Sequence, residues 1–309
     1  MGPSGYHGLQ AIEWGRQRSK RVVICAHGYS GNGRDFDWLA HELARDARVV
    51  CPDMPGRGRS DWLPNAFAYN FPQFLADLRA LIHELGATEV EWVGTSMGGL
   101  LGLLLAAEPR SPISRLVLND VGAFVPSEAL ARIGGNLQAP ERFDSMAGLQ
   151  AHLRHTHRHW GPITDKQWAH LARHGARRVE GGFALHYDPR IAMLMKAPIV
   201  SPGLSLWTTW HRVRCPVLIV RGETSEILPP AVMQAMLDSR PGTEYLEVAG
   251  AGHAPSLMAP GQVDAIARFL RPPAAVSSLA DTCAARPGTA PCIACHCGRR
   301  RGGDAAGLA

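Results

Sequence analysis

The stretch EWVGTSMGGLLG, residues 91–102, decides the fold. An apolar run ends at Gly94, a lone serine stands at Ser96, and Gly98 and Gly99 open the next apolar run. Glycine is poor material for the interior of a strand or a helix. Its placement on both sides of Ser96 therefore points to a tight bend with the serine at its tip. A strand before the bend and a helix after it are the elements that the flanking residues predict.

Working outward, apolar runs of strand length recur along the chain. RVVICAHG ends at Gly28, ARVVCPD at Asp53, SRLVLND at Asp120, CPVLIVRG at Gly222 and TEYLEVAG at Gly250. Helical patterns lie between them, over residues 36–45, 71–85, 97–107 and 262–270. Buried strands alternating with amphipathic helices predict an α/β fold, a mostly parallel sheet with helices on both faces. The rhythm breaks over residues 126–210, a histidine-, arginine- and tryptophan-rich stretch with no clear buried strand. It reads as a helical cap inserted between two halves of the core, residues 1–125 and 211–271, over the crevice at the strand ends. Pro272 and Pro273 stop the last helix, and residues 272–309 are expected to form a disordered tail.

Gly94-Thr95-Ser96-Met97-Gly98 matches the G-x-S-x-G nucleophile elbow, with strand before and helix after. A serine hydroxyl is a weak nucleophile alone; it needs a base, and the base needs an acid to orient it. His253, in VAGAGHAP just past the last strand, has the type and topological place of the base. Two acids remain open. Asp120 ends the strand after the elbow helix, and Glu226 follows the strand that ends at Gly222. Asp120 is preferred, since an aspartate at a strand end is better fixed than a glutamate in a loop. The more usual acid position, three residues past Gly222, holds Ser225, which cannot serve. The backbone amides of Tyr29 and Met97 are the expected oxyanion donors.

These features together resemble the α/β-hydrolase superfamily, and most nearly its small bacterial esterase-type members. The resemblance rests on His27-Gly28, on DMPGRGRS (53–60), on GTSMGG (94–99) and on GAGH (250–253), in order over residues 22–270. LVLND (116–120) is similar to a subgroup whose acid follows the strand after the nucleophile. The resemblance implies hydrolysis of a carboxylic ester or lactone of a small molecule through an acyl-enzyme. Hydrolysis of a carbon–carbon bond in a diketone-like compound, or ligand reception without catalysis, are the other activities such a scaffold allows. His27, Gly28, Phe124, Trp160, Trp207 and Trp210 are the expected substrate-binding residues, with Trp62 a further aromatic neighbour.

Composition narrows the rest. With 46% apolar and 19% charged residues the chain is globular, and its 309 residues suffice for a large core. The net charge of +5 comes from scattered arginines rather than a basic stripe, so no nucleic-acid partner is expected. No apolar run is long enough to span a bilayer and no secretory signal is visible, which makes the cytoplasm the expected compartment and a membrane partner unexpected. Gly28, Gly31 and Gly33 miss the dinucleotide spacing, and no lysine completes a phosphate loop. His41 and His83 lack the second histidine of a zincin. His152, His155, His157 and His159 have no carboxylate or cysteine nearby, and no metal or cofactor is expected. Cys292, Cys295 and His296 form C-x-x-C-H, read as exposed thiols of the tail rather than a haem or zinc site.

Overall fold

The computed structural model describes residues 5–136, 140–195 and 202–271. The expected disordered tail, with its cysteine-rich motif, lies outside the described residues. Seven strands form the main sheet: β1 (Ala11–Trp14), β2 (Val22–Ala26), β3 (Arg48–Pro52), β4 (Val90–Thr95), β5 (Ile113–Asn119), β10 (Val217–Gly222) and β11 (Glu244–Val248). They lie in the order β1-β3-β2-β4-β5-β10-β11, all parallel except β1 against β3. The chain runs from β2 outward to β3 and returns to β4 on the other side of β2. That reversal opens a crevice at the carboxyl ends of β2 and β4, where open α/β sheets place ligands.

Strand periodicity divides the core into two layers. Val22, Ile24 and Ala26 face one apolar cluster, while Val23 and Cys25 face another. Helices α2 (Phe71–Glu84), α3 (Met97–Ala106) and α9 (Pro230–Ser239) cover the first face through Leu78, Leu101 and Met236. Helices α1 (Asp37–Leu43) and α10 (Pro260–Leu270) cover the second through Leu39 and Ile266. The central strands are thus buried on both sides, which explains their continuous apolar reading.

The stretch between β5 and β10 carries two short ribbons besides its helices. It holds β6 (Phe124–Pro126) paired antiparallel with β9 (Gly203–Ser205), and β7 (Ala176–Val179) paired antiparallel with β8 (Gly182–Leu185). Strands of three or four residues that belong to two-stranded ribbons carry too little apolar pattern to stand out in sequence. Five helices share this stretch: α4 (Ser127–Asn136), α5 (Met146–Thr156), α6 (Asp165–Gly175), α7 (Ile191–Met195) and α8 (Trp207–Trp210). Ser145 caps α5 through the amide of Gly148, and Thr164 and Gln167 form a reciprocal capping box on α6. No helix among the described residues is long and apolar enough to cross a membrane.

Candidate active site

The bend between β4 and α3 answers to close packing. Ser96 takes φ 50° and ψ −112°, outside the conformations an ordinary L-residue prefers. A Cβ on Gly98 would lie 2.0 Å from the carbonyl oxygen of Ala26, and one on Gly94 would lie 2.3 Å from that of Gly98. Only hydrogen fits at either place, so β2, β4 and α3 close around the serine. Trp92, fully buried in β4, donates its indole N–H to the Gly98 carbonyl at 3.0 Å and holds the first turn of α3.

Ser96, His253 and Asp120 stand in a hydrogen-bonded row. His253 Nε2 lies 2.9 Å from Ser96 Oγ, and His253 Nδ1 lies 2.8 Å from Asp120 Oδ2. Asp120 is wholly buried just past β5, and Oδ1 accepts the Gly222 amide at 2.8 Å. Its Oδ2 also accepts the hydroxyl of Ser225 at 2.6 Å. That hydroxyl in turn accepts the amides of Ile227 and Leu228, each at 3.2 Å, which aims its proton at the carboxylate. Ser225 cannot itself be the acid, yet it occupies the usual acid position and supports the carboxylate from there. Glu226 is not beside the imidazole: it is exposed and pairs with Arg132 at 2.7 Å.

The loop bearing His253 is tied from two sides. Buried Asn119 donates to Thr95 Oγ1 at 3.0 Å and to the Pro255 carbonyl at 2.8 Å. From the inserted stretch, the carbonyls of His159 and Trp160 accept the amides of Gly252 and Ser256 at 2.6 and 3.1 Å.

His27 sits at the end of β2 with both ring nitrogens engaged. Nε2 accepts the Met54 amide at 2.9 Å, which leaves the proton on Nδ1 to be donated to the Gly28 carbonyl at 2.6 Å. Burial, the larger effect, pushes its pKa down to about 4 and keeps the ring neutral. In a trans peptide the carbonyl and the following N–H point in opposite directions. Pinning the Gly28 carbonyl therefore fixes the direction of the Tyr29 amide. Met97 opens α3, where an amide has no partner in its own helix. Neither amide has a hydrogen-bond partner among the described residues.

A pocket opens over the row, lined by His27, Gly28 and Tyr29 on one side and by His253 to Ser256 on another. Leu153 and Trp160 from the α5 region and Trp168 and Leu171 from α6 give it apolar walls. Among the expected binding residues, Gly28 and Trp160 line it. His27 does too, but with no free ring nitrogen for a ligand. Phe124, Trp207 and Trp210 do not line it, which corrects that expectation. Trp210 is fully buried in the core, with its indole on Ser239 Oγ at 3.0 Å, and Phe124 pairs in the β6–β9 ribbon. Trp62 is absent from the lining as well, lying under the Arg177 guanidinium. Aromatic residues suit cores and pockets equally, so their type alone does not tell the two apart.

One cluster has the donor types of a metal site. Atoms of Asp37, His170 and His174 lie within 4.8 Å of one another. Arg34, however, already holds both oxygens of Asp37 through three hydrogen bonds, the shortest 2.5 Å, and places a fixed positive charge where a cation would bind.

The family model for the alpha/beta hydrolase fold matches residues 21–260. The chain belongs to the α/β-hydrolase family. This α/β-hydrolase is 38% identical over 277 residues to a protein of Cupriavidus necator named 3-hydroxybutyrate-oligomer hydrolase, covering 87% of this chain and 94% of that one. It is 25% identical over 235 residues to the 2-(acetamidomethylene)succinate hydrolase of Mesorhizobium japonicum, covering 75% and 81% of the two. Among solved structures it is similar to an alpha/beta hydrolase of Novosphingobium aromaticivorans. There the TM-score is 0.78 at 36% identity, over 87% of this chain and 95% of that one.

Proposed function

We propose that this α/β-hydrolase cleaves carboxylic esters or lactones of small molecules through an acyl-enzyme on Ser96. That the chain is an ester hydrolase follows from its family and from 38% identity across nearly the whole of the Cupriavidus necator relative. The observation that carries the residue assignment is the unbroken row from Asp120 to His253 to Ser96, at 2.8 and 2.9 Å, opening on a pocket with apolar walls from α5 and α6.

In this reading His253 Nε2 takes the Ser96 proton as Oγ attacks the ester carbonyl. The Asp120 carboxylate keeps the Nδ1–H tautomer and offsets the charge of the imidazolium. The amides of Tyr29 and Met97 receive the oxyanion, a role in which one donor is worth about a hundredfold or more in rate. His253 then gives its proton to the leaving alkoxide. A water, deprotonated by the same nitrogen, releases the acid and restores Ser96. Esters of 3-hydroxybutyrate, including its short oligomers, are the substrates that the Cupriavidus necator relative favours for this chain.

The test joins a covalent probe to turnover. A fluorophosphonate should label the native chain and leave Ser96→Ala unlabelled. Nitrophenyl butyrate and a 3-hydroxybutyrate trimer should both be hydrolysed by the native chain alone. Labelling that persists in Ser96→Ala, or turnover that survives it, overturns the assignment.

A further inference from the structure

The pocket above Ser96 has an uneven charge inventory. Among the described residues that line it, Asp35 is the one carboxylate, and none is lysine or arginine. Asp35 belongs to the 3-10 turn Gly33–Phe36 that follows the oxyanion loop. Its Oδ2 accepts the Asn32 amide at 3.1 Å, while Oδ1 has no hydrogen-bond partner among the described residues. The carboxyl rests directly against that loop. A Cβ on Gly31 would lie 2.2 Å from Asp35 Oδ2 and 3.3 Å from the Cβ of His27. Gly31 thus leaves the space that the carboxyl fills, close to the loop that presents the Tyr29 amide.

We propose that Asp35 is a specificity-determining residue: its free oxygen accepts a hydrogen bond from the terminal hydroxyl of a hydroxyacyl ester, so that oligomers enter hydroxyl end first. This rests on the reading of Ser96 as the nucleophile of an ester hydrolase. An oligomer of a 3-hydroxy acid has two unlike ends, a hydroxyl and a carboxylate. A carboxylate drawn into this pocket would be desolvated with no lysine or arginine to meet it and with Asp35 nearby. A hydroxyl two carbons from the reacting carbonyl instead finds an acceptor beside the oxyanion loop. Burial pushes the Asp35 pKa up to about 7, with the Asp53 charge adding to it. A group held at that poise keeps substantial carboxylate character at neutral pH, and loses it below.

The consequence is directional cleavage. Ser96 Oγ bonds to the carbonyl carbon of the hydroxyl-terminal unit, and the bond from that carbon to the ester oxygen breaks. The departing chain takes the proton from His253 and leaves with a new hydroxyl end. Water then frees one hydroxy acid from Ser96, and the shortened chain can enter the same way.

The experiment uses two nitrophenyl esters and three trimers with the intact chain. Nitrophenyl 3-hydroxybutyrate should exceed nitrophenyl butyrate in kcat/KM by about tenfold, mostly through KM, the scale of a hydrogen bond to a charged acceptor. Asp35→Asn keeps an oxygen to cap Asn32 but removes the charged acceptor, and should bring that ratio to near one. A role confined to capping would alter stability and both esters alike, leaving the ratio untouched. The trimer of 3-hydroxybutyrate should lose monomer units one at a time. Capping its hydroxyl as a methyl ether should slow it about tenfold, and methylating its carboxylate should not. Equal rates for the hydroxyl-capped and free trimers overturn the proposal, whether or not Asp35→Asn folds. If butyrate is turned over without hydroxyl preference, Asp35 alone is misread. If neither nitrophenyl ester is hydrolysed, the Ser96 reading fails and takes this proposal with it.

Discussion

Ser225 Oγ and His253 Nδ1 converge on the same oxygen of Asp120, at 2.6 and 2.8 Å. One carboxylate oxygen thus orients the imidazole and is itself oriented by a neutral hydroxyl from the adjacent strand end. Asp120→Asn should lower kcat on nitrophenyl butyrate by about 10⁴, because an amide favours the wrong imidazole tautomer. Ser225→Ala leaves the carboxylate in place and should cost about tenfold. Glu226→Gln, on the surface with Arg132, should stay within twofold of the native rate. A large loss for Glu226→Gln with Asp120→Asn active reverses the acid assignment.

The same geometry allows the acid to change strands. The Ser225 hydroxyl stands within hydrogen-bond reach of the oxygen that meets His253. A carboxylate placed at 225 therefore comes near the same imidazole. The double variant Asp120→Asn with Ser225→Asp should recover at least about tenfold over Asp120→Asn alone in kcat, with KM little changed. No recovery, in a variant whose melting temperature matches Asp120→Asn, shows that the buried approach from Asp120 has no substitute.

These two residues also mark how far the sequence could be read. Six of the seven strands of the main sheet were legible: β2, β3, β4, β5 and β10 are buried over most of their length and so appear as apolar runs, while β11, at the sheet edge and mostly exposed, stood out by its strand length and closing glycine. Strand β1 was not: it is four residues long, partly exposed and antiparallel at the sheet edge. Ser96 and His253 were legible from glycine spacing and topological position. Ser225 and Asp35 were not, because each contributes through what it touches. Ser225 supports a carboxylate from another strand, and Asp35 is indistinguishable in sequence from a capping acid. The tryptophans failed for the converse reason, since Trp210 has the residue type of a pocket wall and the environment of a core.

His27 links the oxyanion loop to stability. Its folded pKa of about 4 lies below the usual histidine value of 6.5 because burial opposes the charge. The unfolded chain therefore binds the extra proton between these values, and the contribution of His27 is full above about pH 6.5 and lost as pH falls toward 4. Asp35, with its pKa raised to about 7, works in the opposite sense, so the native chain alone is a poor reporter. Comparison with His27→Asn isolates the histidine. The destabilisation caused by the substitution, measured by urea unfolding, should be greater at pH 7 than at pH 4 by about 3 kcal/mol. A difference that is flat with pH contradicts a neutral, buried His27.

Two glycines separate close packing from simple chain freedom. Gly98 sits where a Cβ would meet the Ala26 carbonyl at 2.0 Å, and that contact is backbone on both sides. Neither β2 nor α3 can yield without moving the serine bend. Gly98→Ala should destabilise by about 3 kcal/mol or more and abolish activity in whatever fraction folds. Gly261 stands in the exposed first turn of α10, with nothing within 4 Å of a Cβ built on it. There alanine removes unfolded-state freedom at no steric cost and should stabilise by about 0.4–1 kcal/mol with turnover unchanged. Parallel urea titrations at one pH decide the matter. If Gly98→Ala is tolerated as well as Gly261→Ala, the approach of β2 to α3 is looser than 2.0 Å implies, and the bend does not depend on a missing side chain.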